Sequence, residues 1–247
     1  AKELGLTCFS SPFDLTAVDF MNGIGMPAYK VASYEINDIP MLRKIAKTGK
    51  PVIISTGAAH LEDIERALKV CEEEENTNVI LLKCTSAYPS PYEDMNLRTI
   101  PLMQQTFDCI VGLSDHTLGS EVALGAVALG AKVIEKHVTL KRSDGGPDGA
   151  FSMEMDEFAE MIEKIRNLEK ALGQATFRLT EKQEEARSGM RSLYVTEDIK
   201  AGAVLTPQNI RSIRPGGGLH TMYYEEVLGK TARRNLKKGT PLQWDMI

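Results

Sequence analysis

The chain alternates short apolar runs with amphipathic stretches. Six apolar runs have the length and composition of buried strands: GLTCF (5–9), AYKVAS (28–33), PVIIST (51–56), NVILLKC (78–84), CIVGLS (109–114) and KVIEKHV (132–138). Helical patterns separate them, such as HLEDIERALKVCEEEE (60–75), where apolar residues recur every three or four positions. This alternation predicts an α/β fold with a parallel sheet.

Polar residues follow the predicted strands. Five runs end in or beside a hydroxyl residue, and the sixth ends at His137; the hydroxyl residues are Ser10, Ser11, Ser33, Ser55, Thr85, Ser86 and Ser114. A ring of polar groups at strand ends is typical of a (β/α)8 barrel, whereas an open sheet collects them at one switch point. We therefore predict a TIM-type barrel. Six strands instead of eight mean either that the first two βα units are lacking or that two strands are not recognised in the pattern. The first alternative is favoured, and we expect such a remnant, with two open edges, to fold poorly alone.

The pattern changes after Gly173. Residues 1–173 form the predicted barrel, residues 174–190 read as a polar linker, and residues 191–247 have short runs and many turns. Two phrases in this last part, DIKAGAVL (198–205) and NLKKGTPL (235–242), predict turns of similar design. The sequence thus predicts a barrel domain and a small, turn-rich C-terminal domain.

The stretch from Ile110 to Ser152 carries the candidate chemistry. It reads as strand, helix and strand, so its two strands are parallel neighbours about 4.8 Å apart. Ser114 shares one strand face with His116, and Glu135 shares one with His137. Two imidazoles at adjacent strand ends favour a shared divalent ion, although hydrogen-bonded structural histidines remain the alternative.

Composition argues against two classes of function, nucleic-acid binding and membrane spanning. The 247 residues are 43% hydrophobic and 26% charged, with a formal net charge of -5, which is typical of a globular domain and unfavourable for a nucleic-acid partner. No apolar run is long enough to span a membrane. The four cysteines form no CxxC pair and lie mostly beside apolar runs, so we expect reduced thiols and a cytoplasmic location.

Several motifs together resemble the sialic acid synthase family. They are SSPFD (10–14), YKVASYE (29–35), ISTG (54–57), CTSAYPSP (84–91), GLSDHT (112–117), EKHVTL (135–140), GGPDGAFS (145–152) and SIRPGGGL (212–219). Within the family, CTSAYP, RSDGGPDGAFS and GTPLQWDMI most resemble the pseudaminic acid branch; the sialic and legionaminic acid synthases are the near alternatives. The family has two further βα units before SSPFD, carrying a glutamate and a lysine that line its site, and neither motif occurs in this sequence.

The resemblance implies a metal-dependent transferase. It implies a TIM barrel and a C-terminal SAF (antifreeze-like) domain in a domain-swapped homodimer, with phosphoenolpyruvate and an N-acetylated amino sugar as substrates. The expected sugar is a doubly N-acetylated trideoxy-altrose, which would yield pseudaminic acid and phosphate. An inactive fragment or a sugar-binding module is the non-enzymatic alternative.

The resemblance also implies the site residues. His116 and His137 would bind Mn²⁺ or another divalent cation such as Mg²⁺ or Co²⁺, and Glu135 would act in catalysis. The residues expected to bind phosphoenolpyruvate are Lys30, Ser11, Ser33, Ser55, Ser86 and Ser114. Those expected to bind the sugar are Glu35, Tyr88, Asp148 and Arg214, the last reaching across the dimer. The family usually has threonine where Ser11 stands, and its sialic acid synthases often have asparagine where Ser86 stands.

Two lysines lie outside this set. Lys136 alternates with Glu135 and His137 and is therefore expected on the opposite strand face. Lys83, inside NVILLKC, is where a Schiff-base aldolase would carry its lysine, so an imine-forming enzyme is the rival hypothesis.

Overall fold

The structure is a computed structural model that describes residues 1–247. Its first compact unit, residues 1–173, is built on one parallel five-stranded sheet whose spatial order follows the chain. The strands are β1 (Tyr29–Val31), β2 (Val52–Ser55), β3 (Val79–Cys84), β4 (Ile110–Asp115) and β5 (Ile134–Lys136). The sheet corresponds to part of a barrel and not to a closed eight-stranded one.

Six helices accompany this sheet: α1 (Leu15–Gly23), α2 (Ile39–Ala46), α3 (Leu61–Glu73), α4 (Thr99–Thr106), α5 (Glu121–Ala128) and α6 (Met155–Leu172). Local chemistry explains their ends. The Asp14 and Asp38 side chains accept the backbone N–H of Ala17 and Met41 at the starts of α1 and α2. Gly173, at φ 50°, ends α6.

The first predicted strand, GLTCF (5–9), is absent. Only Ser10 forms a bridge, to Tyr29, and the side chains before it stay in solvent, with Leu6 62% exposed and Phe9 40% exposed. An apolar run gains little from strand pairing when no layer covers it, because burial supplies most of the free energy of folding. Conversely, the sixth run is split between β5 and β6 (Val138–Thr139), and β6 pairs in parallel with β7 (Met153–Glu154).

The two faces of the sheet differ in chemistry. Side chains of one parity, including Val31, Ile54, Leu81 and Leu113, join the apolar core shared with the helices. Side chains of the other parity include Lys30, Ser55, Cys84, Ser114 and Glu135, which line a polar cleft. We call this second side the cleft face.

The second compact unit, residues 174–247, is described by itself. It contains α7 (Glu181–Ala186), the antiparallel pair β8 (Ser192–Val195) and β9 (Ile210–Ile213), and α8 (Tyr224–Val227), around a separate apolar core. The two similar phrases lie side by side, because Ile199 and Leu236 exchange backbone hydrogen bonds of 2.8 Å. In neither unit does any helix combine the length and the apolarity that crossing a bilayer requires.

The cysteines differ in accessibility, and this gives a first test. All four are free thiols; Cys8 is exposed, whereas Cys71 lies on the buried face of α3, and burial raises its pKa to about 11. Because the thiolate is the nucleophile, Cys8 is expected to react with iodoacetamide at pH 8 while Cys71 stays unmodified until the chain unfolds. Mass spectrometry of the alkylated peptides measures this. Equal labelling of both thiols in the native protein would contradict the described packing.

Candidate active site

A cleft of about 390 Å³ opens at the carboxyl ends of the five strands. Parallel strands bring their last residues to one edge, so polar residues distant in sequence converge there. The cleft is lined by Ser11, Lys30, Ala32, Ser33, Ser55, Cys84, Tyr88, Ser114, His116, Glu135, Lys136 and His137. Nine of the twelve site residues predicted in the barrel unit therefore line one cleft; the other three are Ser86, Glu35 and Asp148. Ser86 lies next to Gly57, at the end of β2.

A polar chain crosses the cleft from β1 to β5. Lys30 Nζ donates to Ser55 Oγ at 2.7 Å and lies 3.6 Å from Glu135 Oε2, while Ser114 Oγ donates to Glu135 Oε1 at 2.6 Å. Lys30 is only 8% exposed. Desolvation lowers the pKa of Lys30, and the charge of Glu135 acts in the opposite sense. The result is a buried ammonium that a carboxylate and hydroxyls hold at the base of the cleft.

The two histidines lie side by side at the rim, with ring centroids 5.2 Å apart. His116 is buried, and its Nδ1 is 3.0 Å from the Thr85 carbonyl oxygen. Since a carbonyl only accepts, Nδ1 carries the proton and Nε2 keeps its lone pair. His137 Nδ1 lies 3.5 Å from Asp148 Oδ2, which likewise leaves Nε2 unengaged.

The surroundings shift the pKa values of the two histidines in opposite directions. Desolvation acts to lower the pKa of His116, but its hydrogen bonds with Cys84 and Thr85 outweigh this and raise it. Desolvation, and then the neighbouring His116, lower the pKa of His137. The closeness of the two rings thus disfavours protonation of both at once, and metal ligation requires a neutral imidazole.

Two imidazole nitrogens fit a divalent ion that completes its coordination with water or substrate oxygens. No group of three or more His, Cys, Asp or Glu side chains gathers to hold a metal ion. The residues that would hold such an ion are His116 and His137, each ring oriented by an acceptor on its other nitrogen, as is usual for metal-binding histidines.

A tight junction surrounds Gly57, which follows β2. Its N–H donates to Ser33 Oγ at 3.0 Å, and a Cβ placed on it would lie 2.3 Å from Ser86 Oγ and 2.8 Å from Cys84 Sγ. The Ser86 Oγ is buried and has no hydrogen-bond partner within the chain. A buried hydroxyl without a partner is expensive, so Ser86 is available to a bound ligand.

The remaining predicted residues of the barrel unit are distributed around the histidines. Tyr88 stacks on His116 at a centroid distance of 4.3 Å. Asp148 contacts His137, as described above. The Glu35 Oε2 is buried without a partner. Arg214 lies in the second unit, exposed after β9, and the two units are described separately.

Several residues of the site were not predicted. Cys84 lies 4.0 Å from His116 Nδ1, and Phe151 packs edge-on against His137 at 5.2 Å. Cys84 is two residues after Leu82 and therefore shares its strand face, so the position of Cys84 at the end of NVILLKC was a usable signal. Phe151 follows a glycine-rich turn, and no periodicity indicates which way it points.

The two lysines set aside earlier both point away from the cleft face. Lys136 Nζ pairs with Asp115 Oδ2 at 2.8 Å. Lys83 Nζ donates to the Cys84 carbonyl and to Thr85 Oγ1, and it lines a different cleft, on the helix side of the sheet. An imine formed on Lys83 would therefore not face the histidine pair.

Comparison with known proteins agrees with the motifs. The NeuB family model matches residues 1–177, and the SAF domain model matches residues 190–247. The chain is 44% identical to pseudaminic acid synthase of Campylobacter jejuni over 98% of its own length and 71% of the relative's. It is 41% identical to N,N'-diacetyllegionaminic acid synthase of the same species, over 96% of this chain and 72% of that one.

A solved structure supports the same assignment. The N-acetylneuraminic acid synthetase of Leptospira borgpetersenii is 33% identical and superposes with a TM-score of 0.71, covering 74% of this chain and 64% of that one. The family model covers the unit that contains the cleft, and the second model covers the turn-rich unit. The chain belongs to the NeuB family, and a SAF domain follows its NeuB region.

Proposed function

We propose that this protein condenses phosphoenolpyruvate with an N-acetylated amino sugar to give a nine-carbon ulosonic acid and phosphate. The observation that carries the proposal is the cleft in which Lys30, four serines and Glu135 lie next to the histidine pair. An anion pocket beside a Lewis-acid site suits an anionic enol substrate and an aldehyde.

The anionic substrate is proposed to bind at the base of the cleft. The Lys30 ammonium supplies one positive charge, and Ser11, Ser33, Ser55, Ser86 and Ser114 supply hydroxyl donors for phosphate and carboxylate oxygens. Because Lys30 is buried, its attraction to a dianion is weakly screened by solvent. Binding would thereby orient C3 of phosphoenolpyruvate toward the histidines.

The sugar is proposed to bind at the rim, with its aldehyde beside His116 and His137. These two residues would hold Mn²⁺ or a similar cation, which when bound supplies Lewis-acid polarisation of the aldehyde oxygen. Tyr88, Asp148 and Glu35 would contact hydroxyl and amide groups of the sugar. C3 would form a bond to the aldehyde carbon, whose oxygen takes up a proton, and water would add at C2 and give up a proton. The C2–O bond to phosphate would then break as the C2 hydroxyl loses its proton and becomes the ketone. Glu135, which accepts the Ser114 hydroxyl, is our candidate for the group that takes the proton from water.

An assay of substrate choice tests the proposal. Phosphate release and ulosonic acid formation are measured with phosphoenolpyruvate and each of three sugars: the doubly N-acetylated trideoxy-altrose, the legionaminic acid precursor and N-acetylmannosamine. The similarity to pseudaminic acid synthase favours the first. Lys30→Met should raise the KM for phosphoenolpyruvate, while Lys50→Met, an exposed control, should not. Absence of any condensation product in the presence of Mn²⁺ would refute the proposed reaction.

Arg214 is proposed to act on the neighbouring subunit of a homodimer, where its guanidinium would donate to an N-acetyl oxygen. An Arg214→Ala subunit is mixed with a His116→Ala subunit, and activity is measured after subunit exchange. If Arg214 serves the partner, each heterodimer has one intact and one doubly damaged site and recovers about half of wild-type activity. If mixing restores nothing, Arg214 does not act in trans.

A further inference from the structure

A buried ion pair joins the ends of the two strands that carry the histidines. Asp115 and Lys136 are register partners on β4 and β5, and Lys136 Nζ lies 2.8 Å from Asp115 Oδ2. The two side chains are 0% and 1% exposed, respectively. Lys136 borders the cleft, but the charged ends of both side chains are buried and bond to each other and to the turn after β4 instead of to residues of the cleft face.

The pair is fully satisfied by the turn after β4. Asp115 Oδ1 accepts the Thr117 N–H at 2.9 Å and the Thr117 hydroxyl at 2.7 Å. Lys136 Nζ also donates to the Thr117 carbonyl oxygen at 2.6 Å. One carboxylate, one ammonium and one threonine thus fix both the end of β4 and its position relative to β5. We call Asp115, Thr117 and Lys136 the strut.

Along β4 and β5, the strut residues Asp115 and Lys136 each stand between two residues of the candidate site. Asp115 lies between Ser114 and His116, and Lys136 lies between Glu135 and His137. Any rotation or slip of either strand end would therefore move a histidine together with a member of the Lys30–Glu135–Ser114 chain. A buried ion pair contributes little net stability compared with an apolar pair of similar volume, because desolvating two charges offsets their attraction. Its presence is better explained by the geometry that it imposes.

We propose that Asp115 and Lys136 are positioning residues that hold His116 and His137 at the spacing needed for a shared divalent ion. This inference rests on the metal-dependent function proposed above. The strut acts on the cation only through the two rings.

The test uses the double variant Asp115→Asn/Lys136→Met in the full chain. Asparagine keeps an oxygen for the Thr117 contacts, and the double change removes one negative and one positive charge, so the net charge near the cation is unaltered. A single Lys136→Met variant would instead leave a buried carboxylate unpaired and risk unfolding. Arg43→Met, which removes the more exposed ion pair with Glu73 and Glu74, is the control.

Three measurements are expected to change together. The Kd for Mn²⁺, from calorimetry, should rise about 10- to 100-fold, as for other residues that orient metal ligands. The kcat should fall, while the KM for phosphoenolpyruvate stays within about twofold because Lys30 is untouched. In a crystal structure of the metal-free variant, the ring separation of His116 and His137 should depart from 5.2 Å by about 1 Å or more.

The outcomes separate this inference from the proposed function. A folded double variant that keeps both the 5.2 Å ring separation and the wild-type affinity for Mn²⁺ overturns the positioning role. If wild type itself binds no divalent cation, the metal-dependent function fails and the inference fails with it. That case is recognised from the wild-type calorimetry alone, before any variant is compared.

Discussion

Replacing His116 or His137 with alanine is expected to abolish turnover and to weaken Mn²⁺ binding by at least about 100-fold. Each ring has an acceptor on Nδ1 and an unengaged Nε2, and no third side chain joins the pair as a ligand. Under the proposed mechanism, losing one of the two proposed ligands would remove the polarisation of the aldehyde. Several kcal/mol of transition-state stabilisation correspond to a rate loss of about 1,000-fold or more.

Steady-state kinetics and calorimetry measure this result, and excess EDTA should reproduce it in wild type, with recovery when Mn²⁺ is restored. His60→Ala is the matched control, since His60 is exposed before α3 and does not line the cleft. Because His116 is buried, the melting temperature of each variant is compared with wild type to exclude unfolding. Undiminished activity in either folded variant would remove the histidines from the mechanism.

Replacing Gly112 with alanine is expected to lower the free energy of unfolding by about 3 kcal/mol, at the upper end of ordinary overpacking. A Cβ at Gly112 would lie 2.4 Å from the Val133 carbonyl oxygen and 2.7 Å from Leu82 Cδ2. The carbonyl belongs to the backbone and accepts the Leu113 N–H at 2.8 Å, so it cannot move without loosening β4 from β5.

Urea-induced unfolding measures the change, with Gly23→Ala as the control, because a Cβ at Gly23 meets nothing within 4 Å. The Gly23 variant should be as stable as wild type or slightly more so, since alanine favours the helical conformation. If the free energy of unfolding of the Gly112→Ala protein is within about 0.5 kcal/mol of the wild-type value, the predicted clash is wrong, because β4 and β5 can then accommodate the methyl group.

The resemblance to the sialic acid synthase family was carried by short motifs, and the family assignment confirms it. Those motifs lie at strand ends, where a few residues suffice to mark the chemistry of the fold. The finer assignments, namely the sugar, the cation and the role of each residue, stay predictions. They depend on how side chains meet a ligand.

The sequence by itself determined the elements with strong local signals. The alternation of apolar runs and amphipathic stretches predicted the parallel sheet, and the change of pattern after Gly173 falls where α6 ends. The period of two along a strand also separated Lys136 from Glu135 and His137. These features are local, so they can be derived from neighbouring residues alone.

Tertiary structure decided the rest. GLTCF (5–9) has the composition of a strand but pairs only at Ser10, because strand formation depends on what covers the apolar face. Lys83 has the strand position of an imine-forming aldolase lysine, but the alternation of side chains along β3 directs it toward the helices. The pairing of Asp115 with Lys136, and the closeness of Gly112 to Val133, join residues about twenty positions apart. Such contacts follow from the register of β4 and β5, which no local pattern specifies.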